Sequence, residues 1–270
     1  ANQKYSSQNM EENMKLFKIL VLSVFTIFSL NNIALAQSAL NEILSSGKLK
    51  AGTTGDFYPF SKRDTATNSY EGFDIDVLTE LAKDMDVEIE WVPTDWKTLV
   101  SGIVAGGYHI TGSAGIQTKR MKAAGYSDSY MSVVVKPYTT EDKVSRFDGW
   151  DSINKSDVKV ATTLGTTFEK NVKDWFQNAE ITLIEAPARG YQEVLAGRSD
   201  VFITSNVEGG TLLSKYPNLR EVPVSAPRNP TPLAMLLPQA DQVWINYVDH
   251  WVKIKKTKGF FKELAKKYGL

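Results

Sequence analysis

The sequence predicts an α/β protein with largely parallel sheets. Short apolar runs typical of buried strands alternate with segments whose apolar residues recur at helical spacing, and the alternation continues over most of the chain. One strand-helix-strand cycle covers residues 49–92, and a second covers residues 158–185. A rhythm of this kind favours helices packed on the faces of a parallel sheet.

The periodicity of each segment predicts its type. Residues 49–53 and 88–92 have the pattern of strands, and residues 73–85 between them (FDIDVLTELAKDM) place apolar side chains on one face of a helix. Further strands are predicted at residues 108–111, 133–138, 158–162, 181–185, 201–204 and 233–237. Further helices are predicted at residues 96–104, 119–124, 167–176, 191–196, 242–253 and 257–268.

The amino-terminal segment has the pattern of a secretory signal peptide. Residues 14–18 supply a basic start, residues 19–30 are almost wholly apolar, and residues 34–36 (Ala-Leu-Ala) fit a small-x-small cleavage site. The apolar run is shorter than the roughly 20 residues that span a bilayer. We therefore expect residues 14–36 to be removed on export, and residues 1–13 to be upstream sequence that carries no information about function.

Composition excludes several classes of function. The 31 basic and 31 acidic residues balance, so the charge indicates neither a nucleic-acid partner nor binding to an anionic membrane. The chain has no cysteine, so disulfides and lipid attachment are not expected, and His109 and His250 lack partners for a metal site. We expect no metal and no cofactor, and a mature chain starting at Gln37 that lies in the periplasm without inserting into a membrane.

Three loops at the ends of predicted strands fit a ligand site. They comprise residues 53–60, 112–120 and 164–169, and each contains glycine or hydroxyl residues beside potential donors. Ligands of α/β folds bind at the carboxyl ends of strands, where backbone N–H groups and helix N-termini favour an anion. The loops therefore indicate a site for a small anionic group.

Several segments resemble those of a known family. Residues 52–60 (GTTGDFYPF) and 71–76 (EGFDID) resemble the amino-terminal signature of the polar amino-acid binding proteins of ABC importers, the periplasmic solute-binding proteins of family 3. Residues 116–130 (IQTKRMKAAGYSDSY), 159–170 (KVATTLGTTFEK) and 197–204 (GRSDVFIT) resemble later segments of the same family. The order and spacing of these segments carry the resemblance.

The resemblance implies a bilobal type II periplasmic binding protein fold, with two α/β lobes joined by a two-strand hinge. Lobe 1 would comprise residues 37–132 and 236–270, and lobe 2 residues 133–235. Closure of the lobes would bury a small-molecule ligand. An ABC transporter permease would then recognise the closed form, and the binding protein would act as a monomer.

A narrower resemblance is to the periplasmic cyclohexadienyl dehydratases, which convert prephenate or arogenate with loss of water and carbon dioxide. Residues 53–61 (TTGDFYPFS), 92–96 (VPTDW) and 165–170 (GTTFEK) resemble segments of these enzymes. If the chain is such an enzyme, Glu169 would be the general acid, and Trp96 would raise its pKa by excluding water. If it is not an enzyme, Glu169 is a first-turn glutamate that complements the helix dipole. We favour the second interpretation.

The positions that match the family give a set of ligand-binding residues. The resemblance implies that the planar guanidinium of Arg120 binds a carboxylate or similar anion. Gly115 and Thr167 would donate backbone N–H groups to the same anion, and Phe57 and Trp96 would form aromatic walls. The complete predicted set is Phe57, Trp96, Gly112, Ser113, Gly115, Arg120, Thr166, Thr167, Glu169, Ser205 and Glu208.

Ser205 departs from the family pattern in a way that bears on the ligand. Many members carry an aspartate there, which binds the α-ammonium group of an amino acid. A buried ammonium group without such a partner is costly. Glu208 or Glu169 could replace that aspartate. If neither glutamate does so, the expected ligand lacks a primary amine and is a carboxylate, a sulfonate, or a quaternary ammonium zwitterion held by aromatic faces. Residues 232–234 are apolar where the dehydratases carry charges, which favours transport over dicarboxylate chemistry.

Overall fold

The computed structural model describes residues 38–270. The predicted signal peptide at residues 14–36 and the segment before it lie outside the described residues. Within residues 38–270, no helix has both the length and the apolar character needed to cross a bilayer.

Strands and helices alternate along the described chain, as the sequence predicts. The helices are α1 (Ala39–Ser46), α2 (Phe73–Asp84), α3 (Leu99–Val104), α4 (Thr118–Met121), α5 (Trp150–Ile153), α6 (Thr167–Trp175), α7 (Gly190–Leu195), α8 (Asn206–Lys215), α9 (Gln242–Thr257) and α10 (Phe260–Tyr268). The strands are β1 (Lys48–Thr53), β2 (Asp56–Phe57), β3 (Ser61–Arg63), β4 (Tyr70–Glu71), β5 (Glu88–Pro93), β6 (Ile110–Gly115), β7 (Ala124–Tyr126), β8 (Met131–Thr140), β9 (Lys159–Thr163), β10 (Glu180–Ile184), β11 (Val201–Ser205), β12 (Leu219–Glu221) and β13 (Arg228–Pro238).

The main sheet consists of two parallel groups joined by a central antiparallel pair. Its order is β10-β9-β11-β8-β13-β6-β1-β5, with β12 paired to β8 and β7 paired to β13. Strand β1 runs parallel to β5 and β6, and β9 runs parallel to β10 and β11. The long strands β8 and β13 run antiparallel to each other between the two groups. Strands β2, β3 and β4 form a separate small sheet.

Each parallel group has its own apolar core. One core packs α1, α2, α9 and α10 against β1 and β6 and reaches Val133, whereas another packs α5 and α6 against β9 and β11 and reaches Val135. We call the first side lobe 1 and the second side lobe 2. The core changes between Val133 and Val135 of β8, and the lobe limits given above, at 132/133 and 235/236, stay a prediction.

Two elements near the cleft differ from the predictions for local reasons. Helix α3 begins at Leu99 rather than residue 96, because the carboxylate of Asp95 accepts hydrogen bonds from the backbone N–H and hydroxyl of Thr98 and holds a turn there. The predicted helix at residues 119–124 ends at Met121, because the following residues pair with β13 as strand β7.

Helix α8 is not predicted from the sequence. Its two glycines, Gly209 and Gly210, each lower the intrinsic helix propensity by about 1 kcal/mol. A Cβ atom at Gly209 would lie 1.9 Å from the ring of Tyr138, so glycine is required there for α8 to pack closely on β8. Tertiary packing therefore overrides local propensity in this helix.

Candidate functional site

The loops that follow β1, β6 and β9 meet in the cleft between the lobes and enclose a small cavity. Its volume is about 20 Å³, slightly more than one water molecule needs. The lining residues are Phe57, Trp96, Ser113, Gly115, Arg120, Val133, Thr166, Thr167, Phe168, Arg189, Thr231 and Leu233. Most of the predicted ligand-binding residues therefore come together at this cavity, next to strands β8 and β13.

Arg120 is a buried cation without an acidic partner. This residue of α4 is 5% exposed. Its Nη1 atom donates a hydrogen bond to the carbonyl oxygen of Gly115 at 3.2 Å, and its Nη2 atom donates one to the carbonyl oxygen of Gly165 at 3.1 Å. Among residues 38–270 no carboxylate forms an ion pair with it, and burial lowers its pKa. The guanidinium also lies 6.0 Å from the ring centre of Trp96. A buried guanidinium that lacks a counter-ion has the chemistry to pair with an anion.

The start of α6 lies against the loop that holds Arg120. A Cβ atom at Gly115 would come within 2.9 Å of the side chain of Thr167, so the two residues approach each other across the cleft. Thr167 is the first residue of α6, whose N-terminal N–H groups and dipole favour an anion. The neighbouring Thr166 hydroxyl donates instead to the carbonyl of Thr163 at 2.6 Å.

Aromatic side chains form one wall of the cavity. The ring of Phe57 stacks on that of Phe60 with centroids 4.9 Å apart and meets the ring of Trp96 edge-on at 5.6 Å. The Nε1 atom of Trp96 donates to Oδ1 of Asp56 at 2.9 Å, which fixes the orientation of the indole. Phe168, which the sequence analysis leaves out, lines the cavity from lobe 2.

Gly112 and Ser113 contact a buried acid behind the cavity. A Cβ atom at Gly112 would lie 2.5 Å from the carboxyl carbon of Asp74. The backbone N–H of Ser113 donates to Asp74 at 2.9 Å, and its hydroxyl donates to the same carboxyl group at 2.6 Å. Burial raises the pKa of Asp74 to about 7 against these hydrogen bonds. The Ser113 hydroxyl is thereby engaged with Asp74.

Glu169 faces the loop at the start of its own helix. Its Oε2 atom accepts from the backbone N–H of Gly165 at 2.8 Å, and its Oε1 atom accepts from Nζ of Lys173 at 2.6 Å. Burial raises the pKa of Glu169, but these hydrogen bonds and the charge of Lys173 outweigh it, so the pKa is lower than usual. Glu169 is thus held as an ionised carboxylate, and it is absent from the residues that line the cavity.

Ser205 and Glu208 belong to the start of α8. The hydroxyl oxygen of Ser205 accepts from the backbone N–H of Glu208 at 3.1 Å and caps the helix. The carboxylate of Glu208 accepts from Nε of Arg189 at 3.1 Å and from its Nη2 at 2.7 Å, and the hydroxyl of Thr204 donates to it as well. Both side chains therefore have partners within lobe 2.

Polar groups of the two lobes contact each other directly across the cleft. Nη1 of Arg189 donates to Oδ2 of Asp56 at 3.2 Å, and the hydrogen bond from Arg120 to Gly165 also crosses from one lobe to the other. A Cβ atom at Gly165 would lie 2.5 Å from the backbone nitrogen of Lys97. The lobes are therefore closed on each other. Within the described residues, no group of three or more His, Cys, Asp or Glu side chains is arranged to hold a metal ion.

A family model covers most of the chain. Residues 49–270 match the model of the bacterial extracellular solute-binding proteins, family 3. The chain belongs to this family. The resemblance drawn from the sequence motifs is thus confirmed, and so is the type II periplasmic fold, which solved amino-acid binding proteins share.

Similar proteins of family 3 include binding proteins and an enzyme. Cyclohexadienyl dehydratase from Pseudomonas aeruginosa is 29% identical over 252 residues, 92% of this chain and 93% of that protein. The lysine/arginine/ornithine-binding periplasmic protein of Escherichia coli is 25% identical over 206 residues, 73% of this chain and 74% of that protein. The solved structure of an ancestral amino acid-binding protein, a precursor of cyclohexadienyl dehydratase, has a TM-score of 0.79 at 32% identity and covers 86% of this chain and 99% of its own.

Besides Phe168, three residues of this family 3 protein that form contacts between the lobes are not predicted from the sequence. Asp56 lies inside the motif at residues 52–60, but nothing in that motif indicates an ion pair with the other lobe. Gly165 lies inside the motif at residues 159–170, and its positive φ of 79° is typical of glycine. Arg189 lies in a short loop without a motif, and its burial follows only from the packing of the two lobes.

Proposed function

We propose that this family 3 protein is the periplasmic solute-binding protein of an ABC importer, and that it captures a small anionic or zwitterionic solute by lobe closure. The observation that carries the proposal is the buried guanidinium of Arg120, which has two carbonyl partners but no carboxylate among the described residues. An anion at this guanidinium would complete its charge balance and add bidentate hydrogen bonds.

The acids of the cleft support a ligand without a primary amine. Asp56 and Glu208 both accept hydrogen bonds from Arg189, Glu169 accepts from Lys173, and Ser205 caps a helix. A primary ammonium group would find no carboxylate among the residues that line the cavity to replace its hydration. A carboxylate, a sulfonate or a quaternary ammonium zwitterion would instead use Arg120 for its anionic head and the rings of Phe57 and Trp96 for its body.

The location and partners follow from the family and from the amino-terminal pattern. We propose that residues 14–36 direct export to the periplasm and that a membrane permease of an ABC importer receives the solute from the closed form. The protein would act as a monomer, because one chain supplies both walls of the cavity.

The test is a ligand screen on the purified protein by thermal shift, followed by titration calorimetry. The panel contains simple carboxylates, sulfonates, trimethylglycine and ordinary α-amino acids, each against wild type and Arg120→Met. We expect stabilisation of wild type by a member of the first three classes, and loss of that stabilisation in Arg120→Met. Tight binding of ordinary α-amino acids would contradict the proposed ligand class, and binding that survives Arg120→Met would contradict the proposed site.

A second candidate function is the dehydration of prephenate or arogenate, with Glu169 as general acid. The similarity to cyclohexadienyl dehydratase over 92% of this chain favours it. Against it, Glu169 has a lowered pKa and hydrogen bonds to Lys173 and Gly165, so it would have to turn into the cavity and take up a proton. Incubation with prephenate, followed by phenylpyruvate absorbance, decides: turnover that is lost in Glu169→Gln makes the protein an enzyme.

A further inference from the structure

A second arginine of the cleft, Arg189, has its guanidinium almost fully occupied by acids. A guanidinium carries five N–H donors in a planar fork. In Arg189, Nε and Nη2 contact both carboxylate oxygens of Glu208, and Nη1 contacts Asp56 at 3.2 Å. All three side chains are buried, with 6% or less of each exposed. Arg189 therefore sits in a site that has the composition of a binding site for a guanidinium or ammonium group.

Two carboxyl groups surround the one guanidinium of Arg189. Each also accepts a hydrogen bond from a neutral donor, the hydroxyl of Thr204 for Glu208 and the indole N–H of Trp96 for Asp56. The guanidinium contacts both acids through charge-assisted hydrogen bonds, which hold the side chain of Arg189 in place.

Arg189 also lies where a cationic part of a solute would have to go. Its guanidinium lies 5.7 Å from the ring centre of Phe57 and lines the same cavity as Arg120. On its other side it faces a groove of about 460 Å³, which Asp56 and Glu208 also line. The two acids do not line the cavity at Arg120, so a solute cation in that cavity would meet the guanidinium of Arg189 in place of the acids.

We propose that Arg189 determines the charge specificity of the site, because its guanidinium occupies the acidic pair of Asp56 and Glu208 and so excludes cationic solutes. Without Arg189, the acidic pair becomes a binding site for a guanidinium or ammonium group. This inference rests on the proposed function, since it assumes that solutes enter the cleft.

The test measures binding of methylguanidinium and L-arginine to the wild-type protein and to Arg189→Ala, by thermal shift and calorimetry. Truncating one partner of a buried charge pair leaves the other charges unpaired, and a ligand that replaces the lost group recovers that penalty. We expect Arg189→Ala to bind methylguanidinium about 30-fold or more tightly than wild type. The control triple variant, Asp56→Asn with Arg189→Ala and Glu208→Gln, has no acidic pair and should lose this gain.

A second variant covers the case in which Arg189→Ala does not fold. Arg189→Gln retains a hydrogen-bond donor for Glu208, and it should gain methylguanidinium binding in the same assay, whereas Arg189→Lys keeps the cation and should not. Tight binding of methylguanidinium or L-arginine to wild type overturns the proposal, and so does a folded Arg189→Ala or Arg189→Gln protein without any gain. These outcomes are separate from the anion screen: loss of anion binding in Arg120→Met concerns only the proposed function.

Discussion

The two arginines of the cleft, Arg120 and Arg189, are equally buried but have opposite surroundings. Each residue is 5% exposed, yet Arg120 donates hydrogen bonds to two backbone carbonyls and pairs with no carboxylate among residues 38–270, whereas Arg189 contacts two carboxylates. Burial lowers the pKa of both guanidinium groups, but the acids around Arg189 outweigh burial and raise its pKa. Burial alone therefore does not distinguish the two arginines. Among residues 38–270, the presence of an acidic partner does.

The largest expected effect is on the unpaired arginine. Arg120→Met should weaken binding of the anionic solute by about 1,000-fold, because a charge-assisted contact to a buried group contributes several kcal/mol. The stability of the ligand-free protein should stay equal or rise, since the substitution removes an uncompensated buried charge. Calorimetry and urea unfolding measure the two effects. A large loss of stability would show that Arg120 has a structural role like that of Arg189.

Asp74 is an acidic counterpart of Arg120, because it is buried without a cationic partner. Its folded pKa of about 7 lies above its usual value of 3.8, so the folded state binds more protons than the unfolded state between these pH values. Stability should therefore fall as the pH rises from about 4 to about 7, by up to about 4 kcal/mol, and should not change further above that range.

The isosteric change Asp74→Asn should remove most of this pH dependence, which urea unfolding at several pH values measures. Wild-type stability that does not fall between these pH values would contradict the prediction. Glu80→Gln on the same helix α2 is a control, because Glu80 pairs with Lys255 at a partly exposed site.

Removing an acidic partner of Arg189 should lower the stability of the protein rather than its affinity for the solute. Glu208→Gln removes one charge of the buried group and should lower the free energy of unfolding by about 3 kcal/mol, the usual cost of breaking a buried ion pair. Binding of the anionic solute at Arg120 should change much less. Chemical unfolding measures the change in stability, and calorimetry measures the change in solute binding. An equal loss of stability and of binding free energy would contradict the different roles assigned to Arg120 and Arg189.

Gly165 of lobe 2 contacts lobe 1 in two ways. Its carbonyl oxygen accepts a hydrogen bond from Arg120, and its Cα faces the backbone of lobe 1. In Gly165→Ala, the added Cβ would meet the backbone of Trp96 and Lys97 at about the distances found in the closed form, 2.6 and 2.5 Å. We expect about tenfold weaker solute binding, from this contact and from the positive φ. Gly106→Ala, which has a similar φ of 72° but no atom near its Cβ, controls for the effect of φ. Equal affinities of the two variants would contradict the prediction.

The smallest effect is expected at Glu169. Glu169→Gln should cost about 0.5 kcal/mol at pH 7, from the lost pair with Lys173 and the helix dipole. Because the folded pKa lies below the usual value of 4.5, this stability is present above that value and is lost as the pH falls through the folded pKa. Solute binding should be retained. Loss of binding in this variant would place Glu169 in the site after all.

Parts of the fold and of the site could be predicted because their signals are local. The strand-helix alternation, the family, and the loops around residues 53–60, 112–120 and 164–169 all follow from short stretches of sequence. Helix α8 and the turn at Asp95 could not be predicted, because packing on Tyr138 and a side-chain hydrogen bond decide them. The role of Ser205 as a helix cap likewise depends on α8, which the sequence does not indicate.

Sequence patterns alone identify a family 3 solute-binding protein of α/β type, with Arg120 beside glycine and threonine loops. The packing of the two lobes determines which arginine of the cleft has acidic partners. Asp56 and Arg189 are 133 residues apart, and Arg189 lies just before α7 whereas Glu208 lies in α8. Charge compensation in a buried cleft is set by distances of a few ångströms between side chains that are distant in sequence, and no local pattern carries that information.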